Sequence, residues 1–123
     1  MAIRTVAEIV IGLLYATGAG FQTFDTLRHS KKFYSDMADR AWIRPAETFI
    51  EKALLPNSFV ITVLVATFQA AVAVAILTRG AWVGPALVAG GVFSIIGALT
   101  GSPAETVGYG VLAAIHFMLA SVR

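Results

Sequence analysis

Four polar side chains lie inside long apolar stretches of this sequence: Glu8, Tyr15, Gln69 and His116. Polar and ionisable groups in such surroundings are costly and are candidates for a functional role. A glutamate and a histidine together could carry a proton or hold the polar head of a ligand. Tyrosine and glutamine do not titrate near neutral pH, so Tyr15 and Gln69 are more typical of a hydrogen bond between packed helices.

The elements that carry these side chains are four apolar stretches, at about residues 5–24, 58–78, 81–100 and 104–121. The chain has 123 residues, of which 58% are hydrophobic and 13% are charged. A bilayer core about 30 Å thick is crossed by about 20 helical residues. Within hydrocarbon every backbone polar group needs a partner inside the protein, so each stretch must be helical. The sequence predicts an all-α fold, a single membrane domain over residues 1–123 with a bundle of four transmembrane helices.

Four spans place both ends of the chain on one side of the membrane, which brings Glu8 and His116 to similar depth. Glu8 is four residues from Arg4 and His116 is seven from Arg123, about 6 and 10 Å along a helix. We predict that Glu8 and His116 pair. The alternative is that Glu8 extends to lipid headgroups while His116 donates to a backbone carbonyl. Tyr15 and Gln69, both near the midplane, are predicted to hydrogen-bond across spans one and two.

The connection between spans one and two, residues 25–57, contains six of the nine Lys/Arg residues and five of the seven acids. Its apolar residues nevertheless recur at helical spacing. The sequence therefore predicts two short amphipathic helices, and the alternative is an ordinary solvated loop. One apolar face comprises Phe33, Tyr34, Met37, Ala38 and Ala41, and the other comprises Ala46, Phe49, Ile50, Ala53 and Leu54.

The segment Ser102-Pro-Ala-Glu105 has the pattern of a capping box at the start of span four. A glutamate near a membrane helix could also take part in proton transfer, but capping is the simpler explanation of Glu105. In span three, Gly90 and Gly97 are seven residues apart and share a face, whereas Gly84 points about 120° away at 100° per residue. Small residues allow close helix approach, so we predict packing roles for these glycines and expect span three to be the most enclosed helix.

Several function classes are disfavoured by composition. The formal charge is only +2, with a pI near 9.3, and no basic stripe with interleaved aromatics indicates nucleic-acid binding. The chain has no cysteine, which excludes disulfides, thiolate metal sites and iron–sulfur clusters. Its two histidines, His29 and His116, are expected on opposite sides of the membrane, so one haem could not bind both. We predict no metal site, no cofactor from the residues themselves and no catalytic residues.

The sequence resembles the DoxX-like family of small four-span membrane proteins over nearly its full length. Two stretches carry the resemblance, Glu8-Ile-Val-Ile-Gly-Leu-Leu-Tyr-Ala-Thr-Gly-Ala-Gly-Phe in span one and Gln69-Ala-Ala-Val-Ala-Val-Ala-Ile-Leu-Thr-Arg-Gly-Ala at the end of span two. That family often has a glutamate where this chain has Gln69. Its name comes from a membrane subunit of a thiosulfate:quinone oxidoreductase, so the resemblance implies an accessory membrane subunit and, as a ligand, a quinone.

Two functions are therefore expected. The first is a non-catalytic accessory or scaffold subunit of a larger membrane complex, such as a respiratory or redox complex. The second is a quinone- or lipophile-binding subunit of a membrane oxidoreductase, for which a lipid-open cleft lined by Glu8 and His116 would be diagnostic. A small transporter is a weaker alternative that would require oligomerisation. Expected partners are membrane lipids and either other membrane subunits or further copies of the chain.

The expected location is a bacterial plasma (inner) membrane, but the orientation signals conflict. Counting Lys and Arg favours a cytoplasmic connection. The family resemblance implies cytoplasmic termini, and Arg4, Arg79 and Arg123 stand directly at span ends. We predict cytoplasmic termini.

Overall fold

The computed structural model describes residues 2–123, which form helices and no strand. Six α-helices account for most of the chain: α1 (Ile3–Phe24), α2 (Ser30–Arg40), α3 (Arg44–Phe49), α4 (Ser58–Leu77), α5 (Val83–Thr100) and α6 (Pro103–Ser121). A 3-10 turn at Thr26–His29 precedes α2, and a π-helical turn at Ile50–Leu54 followed by a 3-10 turn at Leu55–Asn57 leads from α3 into α4. The predicted all-α fold is confirmed.

Four helical segments are long and apolar enough to cross a membrane, as predicted. They are α1, the run Arg44–Leu77 that ends with α4, α5 and α6. The second segment is 34 residues long because the helical path continues through the connection. It changes to π and 3-10 turns around Pro56, where proline has no N–H to donate. The third span begins at Val83 and not at Ala81, since Ala81 and Trp82 belong to the turn after α4.

The bundle is built from two closely packed helix pairs, α1 with α4 and α5 with α6, and α4 also contacts α5. The side that carries the ends of the chain, which we call the terminal side, is marked by a 3.1 Å hydrogen bond from Arg4 Nη1 to the Val122 carbonyl. At the opposite end, the connection side, Trp42 Nε1 donates to Thr106 Oγ1 at 2.8 Å. Both ends of the chain therefore lie on one side, as the four spans predict.

The main core runs through the middle of the bundle and α5 lies at its centre. Of the apolar stretch of α5, 44% is buried, against 22% for that of α1, 22% for that of the Arg44–Leu77 segment and 17% for that of α6. The prediction that span three is the most enclosed helix is confirmed. Large apolar side chains cover the outer faces, for example Leu64 and Val111. That pattern suits a bundle surrounded by lipid, where outward apolar groups cost nothing.

The connection packs as a small second core under the bundle. Tyr34 and Ala38 of α2 are buried against Ile50, so the predicted apolar face of the first amphipathic helix is in contact with protein. Ser30 Oγ donates to Ser58 Oγ at 3.2 Å, which ties the start of α2 to the start of α4. Burial raises the pKa of the Tyr34 phenol, so this side chain stays neutral at physiological pH.

Candidate ligand-binding cleft

A cleft of about 240 Å³ opens in the middle of the bundle. All four spanning helices contribute to its wall, which is largely apolar and carries five polar side chains. Its lining residues are Ile11, Leu14, Tyr15, Gly18, Gln69, Phe93, Ser94, Tyr109, Leu112 and His116. Leu14 on α1 is 54% exposed and Tyr109 on α6 is 36% exposed. The cleft therefore reaches the outer surface between α1 and α6.

The central feature of the cleft is a hydrogen-bonded chain through Tyr15 and His116. His116 Nδ1 lies 2.7 Å from the Leu112 carbonyl oxygen, and His116 Nε2 lies 2.9 Å from the Tyr15 hydroxyl. A carbonyl only accepts, so Nδ1 carries a proton. In the neutral imidazole Nε2 is then an acceptor, and the Tyr15 hydroxyl donates to it.

The Tyr15 hydroxyl has a second acceptor within reach. The Gly90 carbonyl lies 3.0 Å from it and also accepts from Ser94 Oγ at 2.9 Å. If His116 takes up a proton, Nε2 becomes a donor to the Tyr15 oxygen, and the hydroxyl proton turns to the Gly90 carbonyl. This hydrogen-bonded chain thus has two arrangements, with His116 neutral or protonated, and every donor in it has an acceptor in both.

Gly90 on α5 makes this approach sterically possible. A Cβ at this position would lie 2.6 Å from the Tyr15 hydroxyl and 2.7 Å from His116 Cδ2. At Gly97 a Cβ would lie 3.1 Å from the Tyr109 ring, so Gly97 also faces a close neighbour. Gly84 has no such neighbour, because no atom of another element in residues 2–123 lies within 4 Å of its Cβ position. The packing role expected for Gly84 is therefore not observed within the described residues.

Gln69 reaches the cleft from α4 but does not bond to Tyr15. The predicted Tyr15–Gln69 hydrogen bond is wrong because Tyr15 turns toward α5 and α6, where His116 and Gly90 satisfy its hydroxyl. The Gln69 amide lies against Gly18, whose Cβ would be 2.9 Å from Gln69 Nε2. Gln69 Oε1 is buried and has no hydrogen-bond partner in residues 2–123.

Two other buried oxygens in the described part of the chain lack partners, Gln22 Oε1 and Thr26 Oγ1. Both belong to the connection-side end of α1 or the turn that follows it. Neither residue lines the cleft. Among these three residues, Gln69 thus combines a place in the cleft wall with a buried acceptor that has no partner in the described residues.

The predicted Glu8–His116 pair is not formed. Glu8 is completely buried, and its Oε1 accepts from Arg79 Nη2 at 2.6 Å while its Oε2 accepts from Arg123 Nε at 3.2 Å. Two guanidinium groups are stronger partners for a buried carboxylate than one imidazole. His116 lies deeper, beside Tyr15, which is seven residues or about 10 Å from Glu8 along α1.

Both ends of the capping box on α6 are observed. Glu105 N–H donates to Ser102 Oγ at 3.3 Å, and Ser102 N–H donates to Glu105 Oε1 at 3.1 Å. Arg40 of α2 also donates to Glu105 Oε1 at 3.2 Å. Glu105 therefore caps α6 and ties the connection to the bundle.

The sequence reasoning missed Gly18, Ser94 and Tyr109 as cleft residues. A signal existed for Ser94, since it follows Gly90 by four residues and so lies on the same helix face. Tyr109 carries no comparable signal, because an aromatic residue on an apolar helix is typical of either core or lipid contact. Within residues 2–123 no three acidic or histidine side chains lie close enough together to hold a metal ion.

Comparison of the chain with protein-family models, with curated proteins and with solved structures finds no match. The DoxX-like resemblance therefore stays a prediction that rests on the two stretches of sequence described above.

Proposed function

We propose that this protein is an integral membrane protein that binds a lipophilic molecule by its polar head in the central cleft. The observation that carries the proposal is the buried Gln69 Oε1, which has no partner in residues 2–123 and belongs to a residue in the same cleft wall as the Tyr15–His116 hydrogen bond. A buried acceptor without a partner has lost its hydrogen bonds to water and gained none in the protein, which costs about 1–3 kcal/mol of stability. A ligand that donates an O–H or N–H to Gln69 would offset this loss.

The size of the cleft supports a head group and excludes a whole lipid. A cavity of about 150 Å³ holds a benzene ring, and complete pockets for small molecules usually exceed about 300 Å³. The cleft, at about 240 Å³, fits one substituted ring. The remainder of the molecule would leave between Leu14 and Tyr109 into the surrounding lipid.

A single-ring quinone or quinol suits these walls. Phe93 and Tyr109 supply aromatic surface beside the polar groups. The amide of Gln69 offers both a donor and an acceptor, so it would serve a ring carbonyl or a ring hydroxyl. The DoxX-like resemblance implies the same class of ligand. Glu8 has no part in this site, because Arg79 and Arg123 already hold its carboxylate.

The test is thermal stabilisation of the purified protein in detergent by a short-chain benzoquinone and by its quinol. Decanol and palmitate serve as lipophiles without a ring. We expect the ring compounds to raise the unfolding temperature and the chain compounds to have little effect. If all four act equally, the protein is responding to detergent-like molecules and the proposal fails.

Two glycines of α1 provide a matched pair of variants for this assay. A Cβ on Gly18 would displace the Gln69 amide, whereas a Cβ on Gly20 would meet no atom of another element in residues 2–123 within 4 Å. Gly18→Ala should weaken the response to the ring compounds, and Gly20→Ala should keep it. Gln69→Leu should remove the response while making the ligand-free protein at least as stable, since the unpaired oxygen is gone.

An accessory subunit of a larger membrane complex is the second candidate, and a groove on the outer surface favours it. The groove measures about 430 Å³, lies between α1 and α4, and is lined by Ala16, Ala19, Ala70, Ala73, Val74, Leu77 and Thr78. Small residues on two adjacent helices permit close approach by a third helix, so its occupant would be a transmembrane helix of another subunit. Blue-native electrophoresis after extraction in mild detergent should show a larger complex. Ala70→Phe should dissociate this complex, because the larger side chain fills the groove. A lone monomer at native expression would contradict this candidate.

We propose cytoplasmic termini in a bacterial plasma membrane, because the arginines of the terminal side stand directly at the membrane edge. The test places one cysteine on each side of this cysteine-free chain, Asp36→Cys or Val122→Cys. Val122 is exposed, and the side chain of Asp36 is 49% exposed. Labelling of intact cells with an impermeant maleimide should modify position 36 alone. Labelling of position 122 alone would reverse the orientation.

A further inference from the structure

The formal charge of the protein is concentrated at one end of the bundle. The terminal side carries three arginines and one carboxylate, that of Glu8, so its formal side-chain charge is +2. On the connection side six Lys/Arg residues are matched by six acids, so the net charge is zero. Those acids are Asp25, Asp36, Asp39, Glu47, Glu51 and Glu105.

Buried Glu8 gathers the positive charge into one place. Its Oε1 accepts from Arg79 Nη2 at 2.6 Å and from Arg123 Nη2 at 3.4 Å. These arginines come from different elements, the turn after α4 and the residues after α6. Arg4 of α1 joins them through its bond to the carbonyl of Val122. One carboxylate cannot neutralise three guanidinium groups.

The arginines retain hydrogen-bond donors that have no partner in residues 2–123. A guanidinium has five N–H groups, yet within these residues Arg79 and Arg4 each donate one hydrogen bond, both through a terminal nitrogen. The side chains of Arg79 and Arg123 are 31% and 24% exposed, so part of each group faces outward. Planar guanidinium groups with free N–H pairs are well suited to phosphate oxygens.

The turn that supplies Arg79 accepts an unfavourable backbone conformation. Arg79 has φ of 59°, a left-handed conformation that an L-residue with a side chain disfavours. The next residue is Gly80, which could adopt this conformation freely. The turn instead places the strain at the residue that makes the shortest contact with Glu8. Trp82 of the same turn is 72% exposed, and tryptophan is typical of the headgroup level of a membrane.

We propose that Arg4, Arg79 and Arg123 form a binding site for the phosphodiester headgroup of an anionic phospholipid, with Glu8 as the positioning residue. The site lies at the membrane edge, where phospholipid headgroups are the most abundant source of phosphate groups. It is separate from the central cleft and does not depend on any ligand there. Anionic lipid would supply the negative charge that the terminal side lacks.

The two tryptophans of the chain provide one reporter for each side. Trp82 lies on the terminal side and Trp42 on the connection side. The Trp42→Phe variant keeps only Trp82, and the Trp82→Phe variant keeps only Trp42. Each is reconstituted in mixed phosphatidylglycerol and phosphatidylcholine, with one of the two lipids brominated in its acyl chains. Quenching of tryptophan by each brominated lipid at equal mole fraction gives the local preference.

We expect Trp82 to be quenched several-fold more effectively by brominated phosphatidylglycerol than by brominated phosphatidylcholine. Trp42, on the neutral side, should show no preference. Removing one arginine should lower the preference at Trp82 by up to about fivefold. Arg79→Gln tests this directly, and Arg4→Gln tests it without disturbing either contact of Glu8. Arg28→Gln removes the same charge on the connection side and should change nothing at Trp82.

Equal quenching of Trp82 by the two lipids overturns the proposal, as does a preference that survives in Arg4→Gln and Arg79→Gln. A preference of the same size at Trp42 would also overturn it, because attraction would then follow the total charge and not the cluster. Added salt should weaken a true preference, since partly exposed charges are screened.

Discussion

The sharpest prediction concerns two glycines of α5, Gly84 and Gly90, that have the same residue type but opposite surroundings. Leaving aside its neighbours in the chain and its own helix backbone, a Cβ on Gly84 would meet no atom of residues 2–123 within 4 Å, whereas a Cβ on Gly90 would lie 2.6 Å from the Tyr15 hydroxyl and 2.7 Å from His116 Cδ2. Ordinary contacts of a Cβ begin at 3.4 Å. Alanine therefore overlaps two buried side chains of other helices at Gly90 and none at Gly84.

The expected free energies of unfolding follow from these distances. Alanine is favoured over glycine in a helix interior by about 1 kcal/mol, but Gly84 stands directly before Pro85, which disfavours the helical conformation of a residue that carries a Cβ. Gly84→Ala should therefore leave the free energy of unfolding nearly unchanged. Gly90→Ala gains the helix propensity but overpacks the core, at about 1–3 kcal/mol. It also stretches the buried Tyr15–His116 hydrogen bond, at about 1 kcal/mol or more. The variants should therefore differ by about 2 kcal/mol, with Gly90→Ala the less stable.

Unfolding by SDS in mixed micelles, followed by helical circular dichroism, measures this difference. The Gly84→Ala variant controls for the addition of a methyl group to α5 at a position that no side chain of another helix approaches. A second control is Tyr15→Phe in the Gly90→Ala background, which removes the closest overlapping atom and should restore part of the loss. Equal stability of Gly84→Ala and Gly90→Ala would refute the close approach of α1 and α6 to Gly90.

Three further predictions use the same assay. Glu8→Gln should lower the free energy of unfolding by about 2 kcal/mol, because it weakens charge-assisted hydrogen bonds worth about 1.5–3 kcal/mol each. Glu51 is exposed, so Glu51→Gln should change little, and equal losses in the two variants would mean that the ion pairs of Glu8 do not stabilise the bundle. Ser102→Ala should cost about 1 kcal/mol through loss of the cap, and an unchanged value would show that the capping box is dispensable. Gly97→Leu should destabilise more than Val92→Leu, because Val92 is 49% exposed, and a match between them would place Gly97 against lipid.

The fold follows from the sequence because the physical constraint is strong. A long apolar stretch in lipid must be a helix, and four such stretches with one long connection leave little choice of topology. The capping box was equally local, since Ser102 and Glu105 need only their spacing. The short turn after α4 also fixes α4 and α5 as neighbours. None of these inferences depends on which way a helix is rotated about its axis.

The pairings inside the bundle do depend on that rotation, and here the sequence is weak. A membrane helix is apolar on its lipid face and on its core face alike, so hydrophobic periodicity does not reveal which residues face inward. Depth along the axis can be counted from the sequence, and on that ground the sequence predicts that Glu8 pairs with His116. In the structure, α1 is oriented about its axis so that Glu8 contacts the arginines and Tyr15 contacts His116.

Three buried side-chain oxygens in residues 2–123 lack partners, and of the residues that carry them Gln69 alone lines the cleft. Glu8 is matched by Arg79 and Arg123, and Tyr15 with His116 is fully bonded within its own chain. Gln69 differs, because its buried oxygen has no partner in residues 2–123 although leucine would pack there at no polar cost. Residues that lower stability without a structural return are characteristic of functional sites. That contrast, together with a cleft of one-ring size at the same point, is why we assign ligand binding to Gln69 and structural roles to Glu8 and Glu105.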